Sequence, residues 1–190
     1  MVIHPSTSVS DPRPLRADAR RNRERILAAA RDVFAQAGRD VQMPDVARVA
    51  GVGVGTLYRH FPAKEDLVLA LVRDKVQAAI DLAGEALTRD DPWEAIEWLV
   101  HQNAANMAHS RGLRDAMSVI DFGDDNPWNS DEARSHVAAV LDRARGASAI
   151  RADISVDDWQ ALMCGLSAAI AMGADPARQA DLFLSAVRRH

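Results

Sequence analysis

Residues 46–67 read Val46-Ala47-Arg48-Val49-Ala50-Gly51-Val52-Gly53-Val54-Gly55-Thr56-Leu57-Tyr58-Arg59-His60-Phe61-Pro62-Ala63-Lys64-Glu65-Asp66-Leu67. Pro44, just upstream, fits the first turn of a short helix from Pro44 to Ala50. Its Val46, Ala47 and Ala50 point one way, and Gly51 stops it. Val54 to Phe61 forms a second short helix, closed by Pro62. Only Gly51, Val52 and Gly53 lie between the two, so the pair is a helix-turn-helix: the first helix braces, the second is presented outward. Leu57 and Phe61, four apart, share a face that can pack on Phe34 and Val46, leaving Gly55, Thr56, Arg59 and His60 largely outside.

Upstream, Ile26, Leu27, Ala30, Val33, Phe34 and Ala37 recur at helical spacing from Asp18 until Gly38, a natural stop in the left-handed conformation. Residues 1 to about 15 carry Pro5, Pro12 and Pro14 without an apolar period and read as a flexible tail. Downstream of Pro62, Leu67, Leu71, Val72, Val76, Ile80, Ala83 and Leu87 mark a helix of about 24 residues. Pro92 opens a fifth helix that Gly112 interrupts, and Leu113 to about Phe122 is a short sixth. The turn formers Gly123 to Pro127 precede a seventh, capped by Ser130 or Asp131 and running to about Arg145. The last two span about Val156 to Gly173, begun by the Ser155/Asp158 capping pattern, and Pro176 to Arg189. Nine helices and no strand are expected, arranged as an N-terminal tail (1–15), a helix-turn-helix unit (16–63) and a larger helical part (64–190).

Composition agrees with an all-α fold. Of 190 residues, 35 are Ala, 48% are hydrophobic, 26% are charged and only 5% are aromatic, which favours helix and argues against collagen, low-complexity disorder or a multi-span membrane protein. The single Cys164 has no partner for an internal disulfide or a cysteine-based zinc site and suits a reducing cytoplasm. Residues 1–10 lack the apolar core of a secretory signal, and the 14-residue run Ala161–Ala174 is too short to cross a bilayer. The net charge of -4 hides an asymmetry: residues 1–66 carry 11 Lys and Arg against 8 Asp and Glu, residues 67–190 carry 12 against 19. Six arginines between Arg13 and Arg25 can meet phosphates or form a solvated helix face.

The outer face of the second short helix suits a nucleic-acid groove. Gly55 lets the backbone approach closely, Thr56 can touch a phosphate or a thymine methyl, and Arg59 can reach guanine or a phosphate. Lys64, at the start of the fourth helix, can share one phosphate with the free N–H groups there. Tyr58, the sole tyrosine, can fill a helix junction or point outward. His60 is one of six histidines, but His4, His101, His109, His136 and His190 lie far from it and show no ligand spacing, so no metal site is expected.

About 50 residues, Arg20 to Leu71, closely resemble the DNA-binding domain of the tetracycline repressor family. The carriers are the Gly-Thr-Leu-Tyr-x-His-Phe core at Gly55–Phe61 and the x-x-Lys-x-x-Leu that follows. The resemblance implies duplex-DNA contacts from Val54, Gly55, Thr56, Tyr58, Arg59, His60 and Lys64, with Tyr58 on a backbone phosphate. Where family members often start the second helix with threonine, this chain has Gln42-Met43-Pro44, a poor N-cap, and Gln42 takes over any contact there. The family also implies a homodimer formed by the last two helices, here through Trp159, Met163, Leu166, Ala169, Ile170, Phe183 and Val187; the alternative use of these residues is the chain's own core. A small-molecule effector pocket would be built from the central helices, with Trp98, His101, Gln102, Met107, Met117, Asp121, Phe122, Trp128 and His136 as candidate lining.

The function so implied is a cytoplasmic, ligand-responsive regulator, a repressor that binds a palindromic double-stranded operator as a dimer and is released by an effector, with no cofactor, no metal and no membrane. A helical enzyme is the rival. It would need a nucleophile with its base or paired carboxylates in a cleft, whereas Asp124, Asp125, Asp157 and Asp158 fall in turns or caps, and Ser118 and Ser167 have no nearby histidine. A helical carrier would carry a degraded second short helix, and this one is intact. Phosphate-loop and dinucleotide fingerprints are absent.

Overall fold

A computed structural model describes residues 12–108, 111–117, 120, 123 and 126–189. Among them are nine α-helices: α1 (Pro12–Ala37), α2 (Met43–Ala50), α3 (Val54–His60), α4 (Lys64–Leu87), α5 (Pro92–Ala108), α6 (Arg111–Met117), α7 (Asp131–Gly146), α8 (Val156–Ala171) and α9 (Pro176–Val187). The described residues form no strand, only an antiparallel bridge between Ile150 and Arg188. The all-α expectation holds.

Helix α1 reaches back to Pro12, into the stretch read as tail. Two prolines deterred a helical reading, yet in a first turn neither removes a hydrogen bond, because N–H groups there have no intrahelical partner. Gly38, at φ 53°, ends α1 and Gly51, at φ 62°, ends α2; a side chain at either would be strained. After Gly51 the Val52 N–H reaches back to the Ala47 carbonyl at 3.0 Å, which fixes the sharp turn into α3.

Gly112 does not act as an interruption. It lies inside α6, and a Cβ on it would sit 1.6 Å from the Phe34 carbonyl oxygen and 3.1 Å from Ala35 Cα. Glycine is what allows α6 to lie backbone to backbone on the end of α1.

Two buried clusters meet along α4. The first holds Ile26, Phe34, Val46, Leu57, Phe61, Leu67, Leu71 and Ile80 with Leu113 of α6. The second begins at Ala83 and gathers Ile96, Val100, Leu141, Ile170, Phe183 and Val187 from α5, α7, α8 and α9. The change in charge balance between residues 1–66 and 67–190 therefore does not mark where packing changes, since the first two-thirds of α4 packs with the helix-turn-helix core. The far end of α4 is fastened by Arg143 of α7, whose guanidinium donates to the carbonyls of Leu87 (3.0 Å), Asp90 (2.8 Å) and Arg89. A cation at the C-terminal end of α4 also complements the helix dipole.

Candidate nucleic-acid interface

Helix α3 is anchored by one side chain and open elsewhere. Leu57 is fully buried with Phe61 beside it, both in the cluster that contains Phe34 and Val46, the packing expected from the four-residue spacing. Val54, Gly55, Tyr58 and Arg59 are exposed, and Thr56 and His60 are half-buried. Gly55 has negative φ, and a Cβ built on it meets nothing within 4 Å. The protein's own packing therefore does not require glycine at this position, which leaves the close approach of an outside body as the use for it.

The turn between α2 and α3 is braced from α1. Arg25 Nη2 donates to the Gly51 carbonyl at 3.0 Å, and the Arg23 guanidinium lies 5.2 Å from the centre of the Phe61 ring, a cation–π distance. Arg20 pairs with Glu24 at 3.6 Å and Arg21 with Asp18. The sequence offered only phosphate contact or a solvated face for this run; two of its arginines instead hold α3 in place. The signal was available in principle, because Arg23 and Arg25 flank the start of the α1 apolar period at Ile26.

Lys64 is half-buried and donates to the Arg39 carbonyl, with its ammonium 6.0 Å from the centre of the Phe34 ring. The first turn of α4 carries Glu65 and Asp66, and Asp66 accepts the Ala63 N–H at 2.9 Å. An N-terminus capped by carboxylates attracts phosphate less than the open one assumed from sequence, so Lys64 also serves as a tie across the unit. Gln42 is exposed at the N-cap of α2; it makes no side-chain cap bond and its Nε2 donates to the Asp40 carbonyl at 3.1 Å.

Where α1, α4 and α6 meet, Lys75 is held below the ordinary lysine range by burial and by the charges of Arg31 and Arg114. Arg31 also pairs with Asp74 at 2.5 Å, tying α1 to α4.

The candidate effector residues that lie among the described ones do not gather around one space. Trp98 lies under Arg89 at 4.2 Å and packs on the second cluster with Met107. His101 pairs with Asp181 at 3.3 Å, Gln102 is exposed, and His136 Nδ1 lies 2.9 Å from the Glu132 carbonyl of its own helix. Met117 and Trp128 pack on the first cluster. Asp121 and Phe122 lie outside the described residues. A cavity of about 370 Å³ opens instead between Arg73, Val76, Gln77 and Ile80 of α4 and a wall that includes Asn126 and Glu132. None of the seven described candidates lines it. Helical periodicity reported which residues were apolar, not which faces left a gap.

For the residues expected at a dimer seam, the structure shows their use within the protomer. Trp159, Leu166, Ile170, Phe183 and Val187 are buried within the protomer, and Met163 and Ala169 are half-buried. Trp159 and Phe183 meet edge to face, with ring centres 4.9 Å apart. The small and apolar residues that α8 and α9 turn outward are Ala161, Cys164, Gly165, Ala168, Ala177, Leu182 and Ala186, with Met172 just past the end of α8, while Asp157, Asp158, Arg178, Asp181 and Ser185 are exposed as well. Met172 is 90% exposed and Leu182 49%.

Among the described residues, no group of three or more His, Cys, Asp or Glu side chains is placed to hold a metal ion, and no helix is long and apolar enough to cross a membrane.

Two family descriptions match the chain. Residues 26–71 match the bacterial regulatory proteins of the tetR family, and residues 91–188 match the C-terminal domain of SbtR-like transcriptional regulators. The TetR transcription regulatory protein of Mycobacterium vanbaalenii is 34% identical with a TM-score of 0.68, covering 93% of this chain and 100% of that one. A TetR transcriptional regulator of Streptomyces coelicolor is 32% identical with a TM-score of 0.65, covering 87% and 98%. An HTH-type transcriptional regulator of Staphylococcus aureus is 38% identical over 84 residues, 43% of this chain; the match spans 44% of that relative, under half its length.

Proposed function

The chain belongs to the tetR family of bacterial transcriptional regulators, and from that premise we propose that it is a repressor that binds a palindromic duplex operator as a homodimer in the cytoplasm and is released by a small-molecule effector. The observation that carries the DNA contact is the open side of α3: Val54, Gly55, Tyr58 and Arg59 exposed around a fully buried Leu57, with Gly55 free of any internal requirement. Tyr58 and Arg59 supply phosphate and base contacts, Thr56 and His60 border them, and Arg23 and Arg25 hold the helix at a fixed angle.

The outward face of α8 and α9 supports the dimer. Small residues at positions 161, 164, 165 and 168 of α8, with Met172 just past its end, allow close approach of a second helix pair. A two-fold dimer requires two half-sites about one helical turn apart or a small multiple of that spacing.

The cavity beside Val76 and Ile80 is the site at which an effector gains purchase on α4. Helix α4 has 24 residues, about 36 Å at 1.5 Å each, and runs from the helix-turn-helix core to the Arg143 clasp. A molecule wedged against its middle changes its tilt and hence the separation of the two α3 helices, and linkage makes operator and effector affinities reciprocal, with a coupling of about 1–3 kcal/mol.

Selection from random duplexes at low salt tests the reading: an enriched inverted repeat is expected, and no enriched half-site refutes it. Sedimentation equilibrium should give a dimer at micromolar concentration, and a monomer there overturns the two-fold account.

A further inference from the structure

The cavity against α4 combines an apolar floor with charge of both signs. Val76 and Ile80, one turn apart on α4, are buried and line it. Charge enters from both helices, Arg73 from α4 and Glu132 from α7. Among the described residues, neither of these side chains has an ion-pair or hydrogen-bond partner, and they do not pair with each other. Their neighbours in sequence are occupied: Asp74 holds Arg31 at 2.5 Å, and Arg134 holds Asp157 at 2.8 Å.

The wall that faces α4 is set by its own bonds. Asn126 Oδ1 accepts the Trp128 N–H at 3.1 Å, Ser130 Oγ accepts the Ala133 N–H at 3.3 Å, and Gln160 Nε2 of α8 donates to the Trp128 carbonyl at 2.9 Å. These bonds engage the side-chain oxygens of Asn126 and Ser130, so both keep donor capacity for a guest.

Size and charge narrow what that guest is. A volume of about 370 Å³ lies at the small end of ligand sites. A purely apolar guest would strip water from Arg73 and Glu132 and return nothing for it. A simple anion meets repulsion from Glu132, and a simple cation meets it from Arg73. A molecule that carries both charges on a short apolar body satisfies the two and also covers Val76 and Ile80.

Resting on the proposal that this cavity receives the effector, we propose that its ligand is a small zwitterion, the anionic group held by Arg73, the cationic group by Glu132 and the apolar body by Val76 and Ile80. So bound, it bridges α4 to α7.

The test uses the full chain and the straight-chain ω-amino acids of about four to eight carbons, a series that varies the distance between the charges. Each is compared by ligand-observed NMR with the carboxylate and with the amine of the same length. At least one member should bind about 10-fold more tightly than both of its single-charge counterparts, the scale of one charge-assisted contact. E132Q should erase the advantage over the carboxylate and R73M the advantage over the amine. Both side chains are exposed, so the circular dichroism spectrum should not change. A series in which no zwitterion outbinds its counterparts overturns the inference, as does a preference that survives in either variant. The effector role fails separately: a zwitterion that binds through Arg73 and Glu132 yet leaves operator affinity unchanged upholds the ligand class and removes that role. Operator release by the carboxylate or the amine alone, with no advantage for the zwitterion, does the reverse.

Discussion

The protomer leaves two surfaces unfinished, and they are unfinished in opposite ways. On α3 the exposed residues are mixed: a valine, a tyrosine, an arginine and a glycine around one buried leucine. On α8 between Ala161 and Ala168 they are nearly uniform, Ala161, Cys164, Gly165 and Ala168, with Met172 just past the end of the helix. A mixed surface suits a partner with its own pattern of charge and hydrogen bonding, such as a groove edged by phosphates. A uniform apolar one suits a copy of itself, because self-complementary packing needs shape more than polar matching. The contrast also separates residues that serve the protomer from those that await a partner.

The largest expected effect tests that separation at the α8–α9 face. Ala168 is exposed and Phe183 is buried. A168E should leave the thermal midpoint of the protomer nearly unchanged yet produce a monomer by sedimentation, with operator affinity lower by about 100-fold or more as the second half-site is lost. F183A should do the reverse, costing about 3–5 kcal/mol of protomer stability through the emptied space against Trp159. A dimeric A168E would show that this face is not the seam.

At α3 the corresponding probe is G55A. Its methyl group meets nothing in the protomer, and alanine is the better helix former by up to about 1 kcal/mol, so the variant should be at least as stable as the wild type. Operator affinity should nevertheless fall about 10-fold, the scale of one lost base or phosphate contact. Unchanged affinity would mean that the backbone of α3 does not come close to DNA.

A smaller effect divides the arginines. R59A should flatten the salt dependence of binding by about one phosphate's worth if Arg59 meets a phosphate, or change the preferred half-site if it meets a base. R25A removes the donor on the Gly51 carbonyl; it should weaken binding only a few-fold, with the salt slope and base preference retained, because it loosens the seat of α3 without touching DNA. A reduced slope in R25A would return that arginine to the phosphate contacts.

Which parts were legible follows from the same contrast. The α2–α3 unit could be read from residues 42–67 because its inside and outside differ in polarity and its turn depends on a glycine with positive φ. Along α8 apolar residues occur on every side, so a 3.6-residue period cannot say which belong to the core; the large ones, Trp159, Leu166 and Ile170, go inward and the small ones outward. Gly112 was misread because a glycine that ends a helix and one that admits a neighbouring backbone look alike in sequence, and only the place of Phe34 tells them apart. The cavity against α4 depends on three-dimensional mismatch between faces, for which a linear pattern holds no signal.

The smallest effect lies at the start of α8, where the uniform face begins, and contrasts with the start of α3. Helix α3 has Gly53 at its N-cap and no side-chain cap bond. Helix α8 is closed by its own residues: Asp158 accepts the Ser155 N–H at 2.9 Å and the Ser155 hydroxyl at 2.6 Å, and Ser155 Oγ accepts the Asp158 N–H at 3.1 Å. These bonds, the hydroxyl first, hold the Asp158 carboxyl below the usual carboxylate range. A carboxylate depressed in the folded state contributes stability that is complete above its unfolded pKa and is lost as pH falls through the folded one. D158N should therefore melt about 1–3 °C below wild type at pH 7, the scale of a charge in the first turn of a helix. That gap should close as pH drops below about 4, where unfolded aspartate begins to take up protons. Because the cap orders the helix that carries Ala161, Cys164 and Gly165, the dimer dissociation constant should rise slightly in D158N, while half-site preference, set at α3, stays fixed. A melting gap that is constant from pH 7 to pH 3 would remove the carboxylate's charge from the account of how α8 begins.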